Sequence, residues 1–279
     1  MTIQVITDST SDIPQELATE LGIRVIPIYV RFGDRLLRDG VDIKTDEFFR
    51  LLTDSRLHPA TSQPTPEDFE LAYREYCGRA DGIISVHISS KISGTCNAAL
   101  LAKKAVESRC PIEVIDSRFN SAGLALVAMA AARLAGGKKD LKTIAEEVRK
   151  VIGQVHMLGM FDTMKYLAWS GRVPRAIVAA ANILNVKPML AFRDGEIVRT
   201  GLVRSFTRGA EKLYEFVQEK KDIAELVITH SAIPEKAAEF KKRLGRLFPE
   251  EKIRVMEMGA GLGVHGGPGV LLVGLRQSG

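Results

Sequence analysis

The sequence predicts an α/β fold in two parts: an N-terminal three-layer α/β/α domain with a mainly parallel sheet, and a C-terminal α+β domain with a mixed sheet. Three observations lead to this prediction. Short β-branched runs alternate with helical patterns through the first half of the 279 residues, which is typical of βαβ units. Gly136-Gly137 then interrupts a helix, and Asp194-Gly195 marks a hairpin. We place the domain boundary near residue 155, which gives domains 1–155 and 156–279.

Four apolar strands are predicted in the first half, each followed by a helical segment. The strands span residues 3–7, 23–30, 82–88 and 112–115. The helices span about 13–21, 45–52, 66–77, 96–107, 123–134 and 141–152. Asp12 with Pro14, and Thr65 with Pro66, are typical helix starts, because Asp and Thr side chains cap the first N–H groups. Polar residues that follow parallel strands meet at one edge of the sheet, where ligands bind.

The second half departs from this repeat. Strands are predicted at residues 155–161, 186–192, 196–203, 226–229 and 253–258, and again at the C-terminal end. Helices are predicted at about 174–184, 207–219 and 234–247. The Asp194-Gly195 pair between two strands favours a tight antiparallel turn, whereas the strands separated by helices can pair in parallel. The result is a mixed sheet.

The composition is that of an ordinary globular protein, with 46% hydrophobic and 26% charged residues. The formal net charge of +5 is small and spread out, and only 6% of residues are aromatic, so no nucleic-acid partner is expected. The N-terminal sequence has no signal-peptide pattern, and the most apolar stretch, residues 122–135, is too short to span a membrane and contains Arg133. We therefore expect a cytoplasmic protein without stable membrane insertion, in which Cys77, Cys96 and Cys110 are reduced.

No cofactor or metal motif fits the chain. Residues 261–266 match G-x-G-x-x-G formally, but a predicted strand follows them, and no acidic residue lies about 20 positions further on. The five histidines are scattered and form no H-E-x-x-H motif, and the phosphate-binding pattern G-x-x-x-x-G-K-[ST] is absent. We therefore expect neither a cofactor nor a metal ion.

Three polar segments, far apart in sequence, are candidates for a single binding site. The first contains Thr61 and Ser62 between prolines, and the second contains Ser93 and Thr95 between a strand and a helix. The third is a stretch with six glycines around His265. Hydroxyl groups and an imidazole donate hydrogen bonds to carboxylate or phosphate oxygens, and helix N-termini favour anions. The second half is rich in aliphatic residues, which line either an apolar cavity or simply a core, and a cavity beside this polar set would suit an amphipathic acid.

Three other interpretations stay open. The hydroxyls could serve only as turn residues and helix caps. Ser93, His265 and Asp116 could form the triad of a stand-alone hydrolase or acyltransferase with Ser93 as the nucleophile, although Ser93 does not lie in a G-x-S-x-G turn. The protein could also be a regulator or sensor that binds lipid without any enzyme as partner.

Taken together, the polar motifs resemble those of the DegV family, the bacterial fatty-acid-binding FakB subunits, and the resemblance covers essentially the whole chain. Their order and spacing are specific, although no single motif is decisive. The motifs are DSTSD at 8–12, TSQP at 61–64, ISSKISGT at 88–95, DSR at 116–118, GR at 171–172, NVKP at 185–188 and GVHGGPG at 263–269. The resemblance implies a two-domain protein with a long-chain fatty acid buried between its domains.

The resemblance also implies roles for individual residues. Thr61, Ser93 and His265 would bind the fatty acid carboxylate, with no catalytic residue in the chain itself. The supporting residues would be Ser62, Gly94, Thr95 and Gly266. A separate ATP-dependent fatty acid kinase would convert the presented carboxylate to an acyl-phosphate for phospholipid synthesis, and Arg172 and Arg204 would contact the head group or the kinase. Phe206 stands where the family usually has another arginine, and Ser170-Gly171 replaces a usual double glycine.

Overall fold

The computed structural model describes residues 2–54, 57–106, 110–173 and 186–278. The helix predicted over residues 174–184 lies outside the described residues. The strands are β1 (Ile3–Asp8), β2 (Ile23–Ile26), β3 (Tyr29–Phe32), β4 (Arg35–Arg38), β5 (Ala60–Ser62), β6 (Gly82–His87), β7 (Ile112–Asp116), β8 (Val155–Met160), β9 (Lys187–Arg193), β10 (Glu196–Val203), β11 (Ile223–His230), β12 (Ile253–Glu257) and β13 (Leu271–Gln277). The helices are α1 (Gln15–Glu20), α2 (Thr45–Asp54), α3 (Pro66–Tyr76), α4 (Thr95–Val106), α5 (Ser121–Ala135), α6 (Leu141–Ile152), α7 (Lys165–Ser170), α8 (Phe206–Gln218), α9 (Pro234–Leu244) and α10 (Ala260–Gly266).

The first sheet has four parallel strands in the order β2-β1-β6-β7. Successive strand residues point to opposite faces, so Val5 and Ile84 pack on the side of α1, α5 and α6, whereas Ile6 and Ile83 pack on the side of α3 and α4. Both faces are therefore covered by helices, which confirms the predicted three-layer α/β/α arrangement.

The second sheet has six strands in the order β10-β9-β8-β13-β11-β12. Only the β11–β12 pair is parallel, and the other four pairs are antiparallel, so the predicted mixed sheet is confirmed. Helices α8 and α9 cover one face of this sheet with residues such as Leu213 and Phe240. The domain boundary near residue 155 stays a prediction, supported by the start of β8 in this sheet at Val155.

Helix α5 packs against strands of both sheets, including β1 and β13. Its residues from Ser121 to Ala131 are all buried, and eight of its fifteen residues are alanine or glycine. Small side chains allow the close approach: a Cβ atom on Gly274 of β13 would lie only 2.7 Å from Ala122. The apolar segment 122–135 is thus a central helix between two sheets. Among the described residues, no helix is both long and apolar enough to cross a membrane.

One predicted strand differs from the structure at Pro27. The strand predicted over 23–30 is divided into β2 and β3, because Pro27 has no N–H group to continue the ladder. Strand β3 instead pairs with β4 and β5 in a small antiparallel sheet of order β4-β3-β5.

Helix α1 begins at Gln15 without a side-chain cap, so the prediction that Asp12 caps it was wrong. Thr65 does cap α3, as predicted, by accepting a hydrogen bond from the N–H of Asp68.

The cysteines require another correction. Cys77 follows the end of α3 and Cys110 precedes β7, which places their Cα atoms 5.4 Å apart, and the structure records a disulfide between them. The expectation that all three cysteines are reduced was therefore wrong for this pair, because two positions 33 residues apart in sequence become neighbours in the fold. Cys96 is free and buried.

Candidate functional site

A cavity of about 380 Å³ lies between the small sheet, the loop after β6 and the six-stranded sheet. This volume is within the usual range for small-molecule sites, which is roughly 300–1,000 Å³. Its polar lining includes Thr61, Ser62, Gln63, Ser90, Ser93 and His265. Its apolar lining includes Ile28, Ile88, Met157, Phe161, Leu190, Phe192, Met258, Leu262 and Leu272. The cavity therefore combines a set of hydrogen-bonding groups with long hydrophobic walls.

Thr61 and His265, which are 204 positions apart in sequence, meet at this cavity. The Oγ1 atom of Thr61 lies 2.9 Å from Nε2 of His265, which is hydrogen-bonding distance. Thr61 is fixed by β5, where it is paired with Val30 of β3. The structure thus unites two of the three predicted carboxylate ligands.

His265 belongs to a helix that sequence reasoning missed. The glycine-rich stretch was predicted to be a loop, but residues 260–266 form α10. The helix packs closely on its neighbours: a Cβ atom on Gly261 would lie 2.4 Å from Ile28, and one on Gly263 would lie 2.6 Å from Phe48. The glycines therefore allow α10 to lie against the small sheet and α2, which brings His265 to the cavity.

Two buried carboxylates bind the start of α10. Asp12 accepts a hydrogen bond from the N–H of Gly259 at 2.8 Å, and Asp39 accepts one from the N–H of Ala260 at 3.0 Å. These bonds satisfy N–H groups that a helix start leaves free. Burial raises the pKa of Asp39 to about 6 and raises the pKa of Asp12 well above its usual value. Both residues precede residue 155 in sequence, so they attach α10 to the first half of the protein.

The imidazole of His265 is neutral near pH 7. Burial is the main reason that its pKa is lowered to about 4, and the positive charges of Arg172 and His58 lower it further. Its Nδ1 atom is buried and has no hydrogen-bond partner among the described residues. A buried polar atom without a partner is costly, so it marks a position where a ligand atom would be stabilising.

Ser93 and Gly94 lie on the loop that leads into α4. The Ser93 hydroxyl is 2.8 Å from the Thr95 hydroxyl and accepts a hydrogen bond from the Thr95 N–H at 3.3 Å. Gly94 is in close contact with Gln63, because a Cβ atom there would lie 2.1 Å from Gln63 Oε1. This contact joins the loop of Ser93 to the segment that follows β5, and the Thr61–His265 contact adds the third predicted segment to the same polar surface. Sequence reasoning did not assign Gln63, although it lies in the quoted TSQP motif.

The other predicted residues divide into two groups. Ser62, Gly94, Gly266 and Arg172 line the cavity with Thr61, Ser93 and His265. Thr95 is fully buried and supports Ser93 without lining the cavity. Arg204 is exposed and does not line it either. The structure therefore does not bring Arg204 to the cavity.

The hydrogen bonds do not assemble the alternative triad. Asp116 accepts from the Ser90 hydroxyl at 2.5 Å and from the Arg118 N–H at 2.8 Å. Across the described residues, no hydrogen bond joins Ser93, His265 and Asp116. The described residues also contain no group of three or more His, Cys, Asp or Glu side chains arranged to hold a metal ion.

Comparison with known proteins places the chain in a family. Residues 2–277 match the family described as "Uncharacterised protein, DegV family". The chain belongs to the DegV family. A DegV domain-containing protein of Caldanaerobacter subterraneus is 32% identical over 269 residues, which cover 95% of each chain. A DegV domain-containing protein of Streptomyces coelicolor is 33% identical, with 96% of each chain covered.

Solved structures of DegV proteins have the same fold. A DegV family protein from Thermus thermophilus, whose structure is described as fatty acid binding, superposes with a TM-score of 0.90 at 31% identity over the full length of both chains. DegV of Bacillus subtilis, described as a fatty acid binding protein, superposes with a TM-score of 0.90 at 27% identity, again over both full chains.

Two features of this DegV chain were not predicted from sequence. Asp12 and Asp39 orient α10, but their partners lie 247 and 221 positions away. In the sequence, the DSTSD motif predicts only the start of a helix, because the backbone groups that bind its second aspartate become neighbours only in the fold. Asp39 lies in no motif, so sequence provided no signal for it.

Proposed function

We propose that this DegV protein binds a long-chain fatty acid in the cavity, with the carboxylate at Thr61, Ser93 and His265. The observation that supports this most directly is the contact between Thr61 and Nε2 of His265 at the cavity, where the Nδ1 atom of His265 has no partner among the described residues. Apolar walls next to this group suit a ligand with one anionic end and a hydrophobic chain. The fatty acids bound by the Thermus thermophilus and Bacillus subtilis proteins have this chemistry.

The energetics are consistent with such a ligand. A carboxylate removed from water needs several hydrogen bonds. The Ser93 hydroxyl can donate one, and the hydrogen-bonded pair of Thr61 and neutral His265 can donate another, from either Thr61 Oγ1 or His265 Nδ1. Each methylene group that moves from water to an apolar wall contributes about 0.8 kcal/mol. The polar groups therefore determine the orientation of the fatty acid, while the chain supplies most of the affinity.

The second part of the proposal concerns the fate of the ligand. The chain acts as a non-catalytic carrier, and a separate ATP-dependent fatty acid kinase of the cytoplasm phosphorylates the presented carboxylate. Arg172 lines the cavity and is suited to contact the head group, whereas Arg204 is exposed and is suited to contact the partner. The acyl-phosphate would then enter phospholipid synthesis.

Native mass spectrometry tests the ligand. Purified protein should show an additional mass of a C14–C18 fatty acid, and delipidated protein should rebind such an acid. His265→Gln should weaken binding by roughly 10- to 100-fold, because it removes a hydrogen bond to a charged group. His156→Gln is the matched control, since His156 lies outside the cavity and its Nε2 atom hydrogen-bonds to Gln277. Delipidated wild-type protein that binds no fatty acid would disprove the proposal.

The kinase step has its own test. Loaded protein, ATP and an extract of the source organism should yield an acyl-phosphate, which hydroxylamine traps as a hydroxamate. Arg204→Glu should reduce the yield without changing fatty acid affinity, because Arg204 lies away from the cavity. An extract that produces no hydroxamate from loaded wild-type protein would leave fatty acid binding intact and reject the carrier role.

A further inference from the structure

A second, more open cleft of about 590 Å³ lies beside the cavity, and the two spaces meet at Phe192. Phe192 on β9 is the one described residue that lines both spaces. Its ring centroid is 5.7 Å from that of Phe119, which lines the cleft. The two phenyl rings therefore lie in contact where the cavity and the cleft meet.

The cleft has an apolar floor and a charged rim. Its lining contains Ile115, Ile152 and Val155, which belong to or pack against the main hydrophobic core. The charged lining residues are Asp116, Arg118, Arg149 and Asp194. A hydrophobic chain that entered the cleft would contact its apolar floor, whereas the charged rim would remain hydrated.

The apolar surface continues from the cleft into the cavity. Val155 lines the cleft and Met157 lines the cavity. The two residues are two positions apart on β8, so they point to the same face of the sheet. A chain lying along this face would pass from one space to the other at Phe192.

The backbone near Phe192 is anchored. The Ser89 hydroxyl donates a buried hydrogen bond to the carbonyl of Gly195 at 2.7 Å, and Arg118 lies 3.8 Å from Asp194. These contacts attach the turn between β9 and β10 to the first half of the protein. Because these contacts hold the backbone near Phe192, the Phe192 side chain decides whether the cavity and the cleft are joined.

We propose that Phe192 is a specificity-determining residue, which ends the acyl-chain cavity and sets the longest fatty acid that fits. This inference rests on the proposed function. Removal of the phenyl ring would join the cleft to the cavity, and the terminal methylenes of a longer chain would then contact Ile115 and Val155. Each further methylene buried in this way tightens binding by about fourfold.

The test is competition among chain lengths. Delipidated protein is mixed with equal amounts of saturated C14 to C24 acids, and native mass spectrometry measures the occupancy of each. Phe192→Ala should move the most abundant complex to a longer acid than in the wild type. Phe216→Ala is the matched control: Phe216 packs against the core of the six-stranded sheet and lines neither space, so its truncation should leave the preferred length unchanged.

A second pair of variants tests whether a shift in preferred chain length comes from access to the cleft or from a general loosening of the cavity. Ile152→Trp should fill the cleft from the end of α6, so it should leave the wild-type preference unchanged and reverse the shift in the Phe192→Ala protein. If Phe192→Ala fails to fold, Phe192→Leu should produce a smaller shift in the same direction. A Phe192 variant that folds and binds fatty acid with an unchanged preferred length overturns the inference, whereas wild-type protein that binds none rejects the proposed function instead.

Discussion

His87 is buried and His265 is partly buried, and the hydrogen bonds of their ring nitrogens distinguish a structural histidine from a candidate binding residue. His87 uses both ring nitrogens: Nδ1 is 3.0 Å from Asp8 and Nε2 is 2.6 Å from Ser85. His265 uses only Nε2, toward Thr61, and its Nδ1 has no partner among the described residues. A histidine with both nitrogens paired stabilises the fold, whereas one with an unpaired nitrogen at a cavity can bind a ligand.

The hydrogen bonds around His87 do not form a catalytic site. Ser85, His87 and Asp8 are hydrogen-bonded in the order of a hydrolase triad, yet all three side chains are fully buried. Ser85 also accepts a hydrogen bond from the Tyr73 hydroxyl at 2.9 Å. A nucleophile must reach its substrate, so this chain of hydrogen bonds is structural. Accessibility, rather than residue identity, distinguishes the two sites.

The largest expected effect comes from breaking the paired network. Asp8→Ala would remove the acceptor for His87 Nδ1, the Ile88 N–H at 3.0 Å and the Thr10 N–H at 3.1 Å. Loss of a buried partner typically costs about 3–5 kcal/mol, so we expect that much of the free energy of unfolding to disappear. Urea denaturation followed by circular dichroism measures it. A loss below about 1 kcal/mol, the size of one ordinary hydrogen bond, would show that the network does not stabilise the fold.

The second effect concerns pH and belongs to His265. Its pKa is about 4 in the folded protein, compared with the ordinary value of 6.5. The unfolded chain therefore takes up the proton first, so stability falls as the pH falls from 6.5 toward 4, by up to about 1.4 kcal/mol for each pH unit. Asp39 acts in the opposite sense, because its raised pKa means that the folded state keeps a proton that the unfolded state loses.

The variant His265→Gln isolates this contribution, because Asp39 is present in both proteins. The difference in unfolding free energy between wild type and variant should change between pH 6.5 and 4 and stay constant above pH 7. Parallel stability curves across the whole range would contradict the low pKa of His265. Bound fatty acid should raise this pKa, since a nearby carboxylate favours the charged imidazole, and NMR titration of the ring protons measures the change directly.

Sequence reasoning succeeded where the relevant pattern is local. Alternating strands and helices predicted the two larger sheets but not the small β4-β3-β5 sheet, and the hydroxyl-rich segments around Thr61 and Ser93 could be recognised from a few adjacent residues. Helix α10 could not be recognised, because glycine is about 1 kcal/mol less favourable than alanine in a helix. Its stability depends on Asp12 and Asp39, which are more than 200 positions away. The unpaired nitrogen of His265 likewise becomes visible only when all its neighbours are known.

The smallest expected effect tests whether ligand binding at the cavity depends on the contact between Gly94 and Gln63. A Cβ atom on Gly94 would displace Gln63 by meeting the end of its side chain at 2.1 Å. That end is flexible, so Gly94→Ala should cost less than about 1 kcal/mol of stability, far less than Asp8→Ala. Fatty acid affinity should still fall measurably, by about two- to fivefold, because the loops of Thr61 and Ser93 would no longer meet in the same way. Gly136→Ala is the control, since Gly136 follows α5 and its nearest contact would be an ordinary 3.5 Å. Equal affinities of the two variants would show that the Gly94–Gln63 contact does not position the binding groups, and the unpaired nitrogen of His265 would then suffice to define the site.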